Sequence, residues 1–311
     1  MDLIKATLQH LHLGAATTFE RLTMYPLLNG GGRSPDYIML RQALAQGTVR
    51  ITEISEGGSV PQLAVANEGE QRVLIVDGEE LVGAKQNRIV NVSILVPAKR
   101  VIPIPVSCVE RGRWSYRSRN FTDSGNAVYA EARARHVGTV TGSLRRAGTR
   151  DANQGAVWTA ISEKMSSLGA SSPTDAMNDI YARHTRKIDD YVQAFRPVAG
   201  QLGAIFAVHG RPFGLDLFDS PQSFDVVLDK LVRSYALDAI DEPGERPAPQ
   251  QLQPPEDFLA AVTAAKGETY PAVGLGEDVR LEGMEVVGAA LVADGRIVHL
   301  SAFRSNVPNK S

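Results

Sequence analysis

Residues 76–114, VDGEELVGAKQNRIVNVSILVPAKRVIPIPVSCVERGRW, interleave apolar runs with two polar blocks, KQNR at 85–88 and CVERGR at 108–113. Successive side chains of a strand point to opposite faces, so Val90, Val92, Ile94 and Val96 share one face, as do Ile102, Ile104 and Val106. Joining the two runs as a hairpin around 97–101, with both apolar sets together, predicts a register. Val96 then opposes Ile102, Val92 opposes Val106, Val90 opposes Cys108 and Arg88 opposes Glu110. The polar blocks meet at the open end of that hairpin. Pro103 and Pro105 remove two N–H donors from one edge of their strand, which predicts a place at a sheet margin, where ligands gain access.

Outward from this stretch, the first third reads as β structure. Short runs at 22–28, 49–54, 63–66 and 73–76 are separated by Gly, Ser, Pro and Asn. A helix is expected over 36–46. The NGGGRS segment before it lacks the Gly-Lys-Ser/Thr ending of a phosphate loop and reads as a mobile loop. The middle is helical, over 153–168 and 173–195, with Ser172 as cap and Pro173 in the first turn. A strand pair straddles His209-Gly210, a helix capped by Ser223 covers 224–240, and a short helix covers about 255–266. Asp77-Gly78, His209-Gly210 and Asp294-Gly295 all read as hairpin turns. The fold class is α+β: mainly antiparallel sheet from the N-terminal third and the C-terminal hairpins, with a helical middle. We expect a single domain over 1–311, with an arginine-rich loop region at about 111–150 and a proline-rich connector at about 243–255.

The chain has 311 residues, a formal net charge of −2 and ordinary apolar and charged fractions. This balance gives no global bias towards nucleic acid or membrane. Its one cysteine, Cys108, excludes an intrachain disulfide and a four-cysteine zinc site. The start lacks a secretory pattern, and no stretch approaches the roughly 20 apolar residues of a membrane helix, so a cytoplasmic location is expected.

Several chemistries compete within the polar blocks. Cys108 opens a C-x4-R string, one residue short of a cysteine-phosphatase loop, and no helix start follows it. A buried, unreactive thiol is the plainer reading. Among Glu79, Glu80 and Glu110, Glu110 is the acid–base candidate, because its inferred face continues the apolar one. An Arg88–Glu110 ion pair that merely closes a strand end is an equal alternative. Nine arginines fall within 111–150 against Asp123 and Glu131. Their forked guanidinium groups suit phosphate and carboxylate, and Trp114 and Tyr116 add faces on which a base can stack. Most of the nine fit a solvated loop balanced by acids elsewhere; Arg88 and Arg113 stand apart by position. His10-x-His12 lacks a third ligand, so neither metal nor cofactor is expected. Rossmann, Walker and Gly-x-Ser-x-Gly motifs are absent.

The strings SEGGSVPQLAVAN, LIVDGEELVGAKQNRIVNVSILVPA and IPVSCVERGRWSYRS carry a family pattern. So do NQGAVW, GLDLFDSPQSF, KLVRSYALDAID and the final VADGRIVHLSAFR. Together they resemble the ADP-ribosylglycohydrolase-and-rhodanese-phosphatase-associated protein family over most of the chain. The resemblance implies a setting in NAD and ADP-ribose processing. By family pattern it carries over Glu80, Gln86, Asn87, Arg88, Cys108, Glu110, Arg113 and Trp114.

Three functions follow as expectations. The first is an enzyme-like domain binding a phosphorylated ribosyl or nucleotide-derived small anion. In it Arg88 and Arg113 hold phosphate, Gln86 and Asn87 orient sugar hydroxyls, and Glu80 and Trp114 complete the ligand site. Glu110 and Cys108 are then its catalytic candidates. The second is a non-catalytic sensor or assembly module whose polar cluster is structural. The third and weakest is RNA binding through the arginine-rich stretch.

Overall fold

The computed structural model describes residues 1–31, 33–241 and 253–305. The described residues form eight helices and eighteen strands, mostly in antiparallel sheets, which is the expected α+β class. One sheet runs in the order His12–Leu13, Leu22–Leu28, Gln201–Val208, Arg211–Phe218, Arg296–Arg304, Val286–Ala293, Glu277–Glu282, Lys266–Pro271. Thr17–Phe19 pairs beside Leu22–Leu28. A second sheet has six strands in the order Phe121–Ala127, Glu79–Gly83, Arg88–Val90, Arg100–Cys108, Gln62–Asn67, Val49–Glu53. A third places Arg72–Ile75 between Ile94–Val96 and Tyr37–Met39. The helix Pro221–Asp241 packs Phe224, Leu228, Leu231 and Tyr235 into a core shared with Phe206, Phe218 and Phe303 of the large sheet.

His209-Gly210 and Asp294-Gly295 turn their hairpins with both residues at positive φ (53° and 75°, 50° and 72°), as a type I′ turn requires. Asp77-Gly78 does not. Only Gly78 has positive φ, the strands on its two sides lie in different sheets, and Asp77 is buried.

The hairpin over 89–106 forms in another way. Ile94–Val96 leaves for Arg72–Ile75, and Arg100–Cys108 pairs first with Gln62–Asn67 and then with Arg88–Val90. The observed partners are Val106↔Val90, Ser107↔Ile89 and Cys108↔Arg88, two residues from the predicted register. A slip of two preserves the face of every side chain, which is why the apolar alternation could not detect it. The strand with the two prolines is interior, not marginal. The N–H of Val109 and the carbonyl of Pro105 face the edge paired with Arg88–Val90. That is the edge from which Pro103 and Pro105 withhold donors, and its ladder is confined to 106–108.

Several helix expectations shift. Tyr37–Met39 is a strand and only Leu40–Ala45 is helical. The span 173–195 divides into Met177–Arg183 and Thr185–Ala194, with Asp175 at positive φ and Ser172 Oγ accepting the N–H of Ala176 at 2.8 Å ahead of the first. The long helix begins at Pro221, with Ser220, not Ser223, at its start: Ser220 Oγ accepts the Gln222 N–H. The helix expected over 153–168 is Gln154–Ser167, with Asn153 as its cap through the Ala156 N–H. The arginine-rich 111–150 is not a loop throughout, because it contains the strand Phe121–Ala127 and the helix Ala130–Ala147, ended by Gly148 at φ 67°. The proline-rich connector lies outside the described residues up to 252 and leads into the helix Pro255–Ala264.

Candidate functional site

Seven of the eight singled-out residues converge where Arg88–Val90 meets the end of Arg100–Cys108. Arg88, Cys108 and Glu110 are fully buried, Gln86, Asn87 and Arg113 nearly so, and Trp114 is half exposed at 47 %. Glu80 is not among them. It pairs with Ile89 rather than Arg88, so alternation turns its carboxylate to the opposite face of the sheet. There it lies fully buried beside Ser124 and Asn126, with no hydrogen bond of standard geometry to either oxygen. Burial pushes its carboxyl up to about 7, against Ser124 and Asn126 and with help from the nearby Glu110 and Asp123 charges.

The cluster divides by hydrogen-bond capacity. Glu110 accepts from Arg113 Nε (2.8 Å) and Nη2 (2.6 Å), from the Asn87 N–H (3.0 Å) and from the Thr174 hydroxyl (2.9 Å). Arg113 gives its remaining donors to the carbonyls of Gly83, Ala84 and Ser115 and to Asn87 Oδ1. Burial alone would raise the Glu110 carboxyl; the bonds from Arg113, Asn87 and Thr174 and the Arg113 charge outweigh it and hold the group below its usual range. A carboxylate so saturated is a poor proton acceptor, and Arg113 has no N–H left for phosphate. The expected Arg88–Glu110 pair does not form: the cation on Glu110 is Arg113, three residues along.

Cys108 is equally occupied. Its sulfur lies 3.2 Å from Gln86 Oε1 and 3.3 Å from the Glu110 carbonyl, and burial pushes the thiol up. Gln154 holds the Cys108 backbone through both its N–H and its carbonyl, at 2.8 Å each. This is the environment of a packed thiol rather than a nucleophile.

Arg88 differs from all of these. Its Nη1 donates to Gln86 Oε1 (2.9 Å) and the Asn87 carbonyl (3.4 Å), while Nε and Nη2 find no acceptor. Among the described residues no carboxylate forms an ion pair with it. Above it the Trp114 ring centre is 5.7 Å from the guanidinium, and Lys85 Nζ lies 5.3 Å from the Trp114 ring and 5.1 Å from the Tyr116 ring. Lys85 also donates to the Gly57 carbonyl at 2.8 Å, and the Tyr116 hydroxyl reaches the Glu56 carbonyl at 3.3 Å. Gly58, at φ 75°, has room for no Cβ without pressing on Lys85 and Trp114. Beside this cover an open cavity of about 870 Å³ is lined by Glu53, Tyr116, Arg117 and Arg119.

Residues that the sequence reading passed over form a second buried centre. Arg133 grips Asp216 through Nη1 (3.1 Å) and Nη2 (2.7 Å) and reaches Asp77 at 3.3 Å. Ser93 Oγ is 2.7 Å from His299 Nδ1, and His299 Nε2 is 3.4 Å from Asp216. Ser, His and Asp thus follow one another as in a hydrolase relay, but His299 is sealed and both Asp216 oxygens are held by Arg133, so the centre is an ion network that ties sheets together. The available signal was a lone polar residue inside an apolar strand, Asp216 between Leu215 and Leu217 and His299 between Val298 and Leu300. Five of the nine arginines of 111–150 (Arg113, Arg133, Arg135, Arg145 and Arg150) pair with acids.

No helix of the described residues is long and apolar enough to cross a membrane. No curated protein and no solved structure matches the chain. The family model described as the ARG and Rhodanese-Phosphatase-superfamily-associated Protein domain matches residues 10–303. Its span covers both the Arg88 cluster and the Arg133 network, and the chain belongs to this family.

Proposed function

We propose that the chain is an enzyme-like binding domain for a phosphorylated ribosyl or nucleotide-derived small molecule, ADP-ribose-type compounds first. The observation that carries this reading is the Arg88 guanidinium, which is fully buried, forms no ion pair with a carboxylate among the described residues and keeps two nitrogens, Nε and Nη2, without acceptors. Burying a cation is costly unless an anion answers it, and the planar fork of arginine suits phosphate. Arg88 holds the phosphate, Gln86 orients a ribose hydroxyl, and Trp114 and Tyr116 stack the base once Lys85 and Trp114 swing aside. Arg113, Asn87, Glu110 and Cys108 form the frame that positions Arg88, while Glu80, buried on the opposite face of the sheet, stands outside this site. The family description, naming ARG and rhodanese-phosphatase associations, is compatible with this setting.

The second reading is a non-catalytic sensor or assembly module, favoured by the saturation of Glu110 and Arg113. Thermal unfolding of wild type and Arg88→Met with ADP-ribose, NAD and inorganic phosphate decides between the two. A ligand that binds only the folded state raises the melting temperature by mass action. ADP-ribose should raise that of wild type and leave a folded Arg88→Met unmoved. No shift in wild type with any of the three would overturn the binding reading and leave the structural one.

A further inference from the structure

A cavity of about 380 Å³ lies between the helices Ala130–Ala147 and Gln154–Ser167. Its floor includes Ile89 and Val128, and Val157 and Ile161 continue the apolar wall. Ile89 alternates with Arg88 along the strand, so this cavity is on the opposite face of the sheet from the Arg88 cluster. Arg135 and Glu163 are exposed at its mouth, 3.9 Å apart. Its volume is within the range of small-molecule sites, which are mostly apolar with a few placed polar groups.

The only buried polar residue in its lining is His136. Asn91 settles the protonation of that ring. Asn91 Nδ2 donates to the Arg150 carbonyl at 2.8 Å, so the Asn91 oxygen, which also accepts from Ser107 Oγ at 2.8 Å, is the atom facing His136. His136 Nε2 lies 3.1 Å from that oxygen and must carry the N–H. The other nitrogen, Nδ1, is therefore a lone-pair acceptor. It is buried and has no partner among the described residues. Burial also holds the ring neutral, lowering it to about 4. A buried acceptor without a donor is an uncommon arrangement in folded chains and calls for an explanation.

We propose that this cavity binds a small neutral molecule, mostly apolar and bearing a single hydrogen-bond donor, a ring N–H or a hydroxyl, which His136 Nδ1 accepts. The apolar wall supplies affinity by burying the ligand's surface. The imidazole supplies selection, because an analogue lacking the donor leaves Nδ1 unpaired. The site is independent of the Arg88 reading, and its test fails or succeeds separately.

Indole serves as the probe and indene, of the same shape without the N–H, as its control, each titrated by calorimetry into the full chain. Indole should bind at least tenfold more tightly than indene. Ala132→Phe, which fills the cavity from a half-buried wall position, should abolish binding of both. His136→Phe should erase the difference between them. Equal affinity in wild type, no binding of either compound, or indole affinity unchanged in Ala132→Phe would each overturn the proposal. The wild-type comparison and Ala132→Phe decide it even where His136→Phe does not fold.

Discussion

Glu110 receives Arg113 on both carboxylate oxygens, at 2.8 and 2.6 Å, in a pair closed from solvent. The two side chains act as a clamp. Glu110 also fixes the backbone of Asn87 and the hydroxyl of Thr174, while Arg113 ties the carbonyls of Gly83, Ala84 and Ser115. Three separate chain segments are thereby locked around Arg88.

Glu110→Gln preserves shape and removes the anion, leaving Arg113 buried without it. Breaking a buried pair in this way costs about 3–5 kcal/mol, and the urea midpoint should fall accordingly. A loss below about 1 kcal/mol would mean that the carbonyls hold Arg113 unaided. Because the Glu110 carboxyl is held below its usual range, its contribution is present above the unfolded value and is lost as pH falls through the folded one.

Glu80 behaves oppositely. Its folded value of about 7 exceeds an unfolded carboxyl near 4.3, so the folded chain keeps a proton that the unfolded chain releases. Its contribution is complete below about pH 4.3 and disappears as pH rises through 7, on the order of 3 kcal/mol in all. Urea melts at pH 5 and pH 8 should show wild type losing stability across that interval and Glu80→Gln losing less. Asp238, raised to about 6, titrates in both proteins, so the difference between them isolates Glu80. Identical pH slopes would sink the assignment.

Arg88→Met replaces a buried, unpaired guanidinium by an apolar chain of similar length. Exchanging a buried ionic group for a well-packed apolar one is often neutral, or stabilising by about 1–4 kcal/mol. The variant should unfold at or above the wild-type midpoint. A loss above about 2 kcal/mol would instead give Arg88 the structural role that Arg113 has.

Cys108 should resist modification in the native state, since its thiol is buried and pushed up from its usual range. Iodoacetamide labelling followed by mass spectrometry should show a mass increase in denaturant and none in native buffer over the same period. Rapid native labelling would restore Cys108 as a nucleophile candidate.

Much of this was legible in the amino-acid sequence. Short apolar runs bounded by Gly, Ser, Pro and Asn marked the strands Leu22–Leu28, Gln62–Asn67 and Arg72–Ile75, because those residues break a strand and apolar ones bury it. His209-Gly210 and Asp294-Gly295 announced their turns through residues that tolerate positive φ. The polar blocks at 85–88 and 108–113 marked the place where Arg88, Cys108 and Glu110 meet. Those are local properties, written in spacing and backbone preference. Tertiary structure decided which strand pairs with which: a two-residue slip leaves each face unchanged, so alternation could not separate Cys108 from Glu110 as the residue opposite Arg88. It also decided what the shared charges do. Arg113 captured Glu110, Asp77 and Asp216 captured Arg133, and Arg88 was left without an ion pair among the described residues. Ion pairing and burial depend on distances between segments far apart in the chain, and those distances exist only once the sheets have packed.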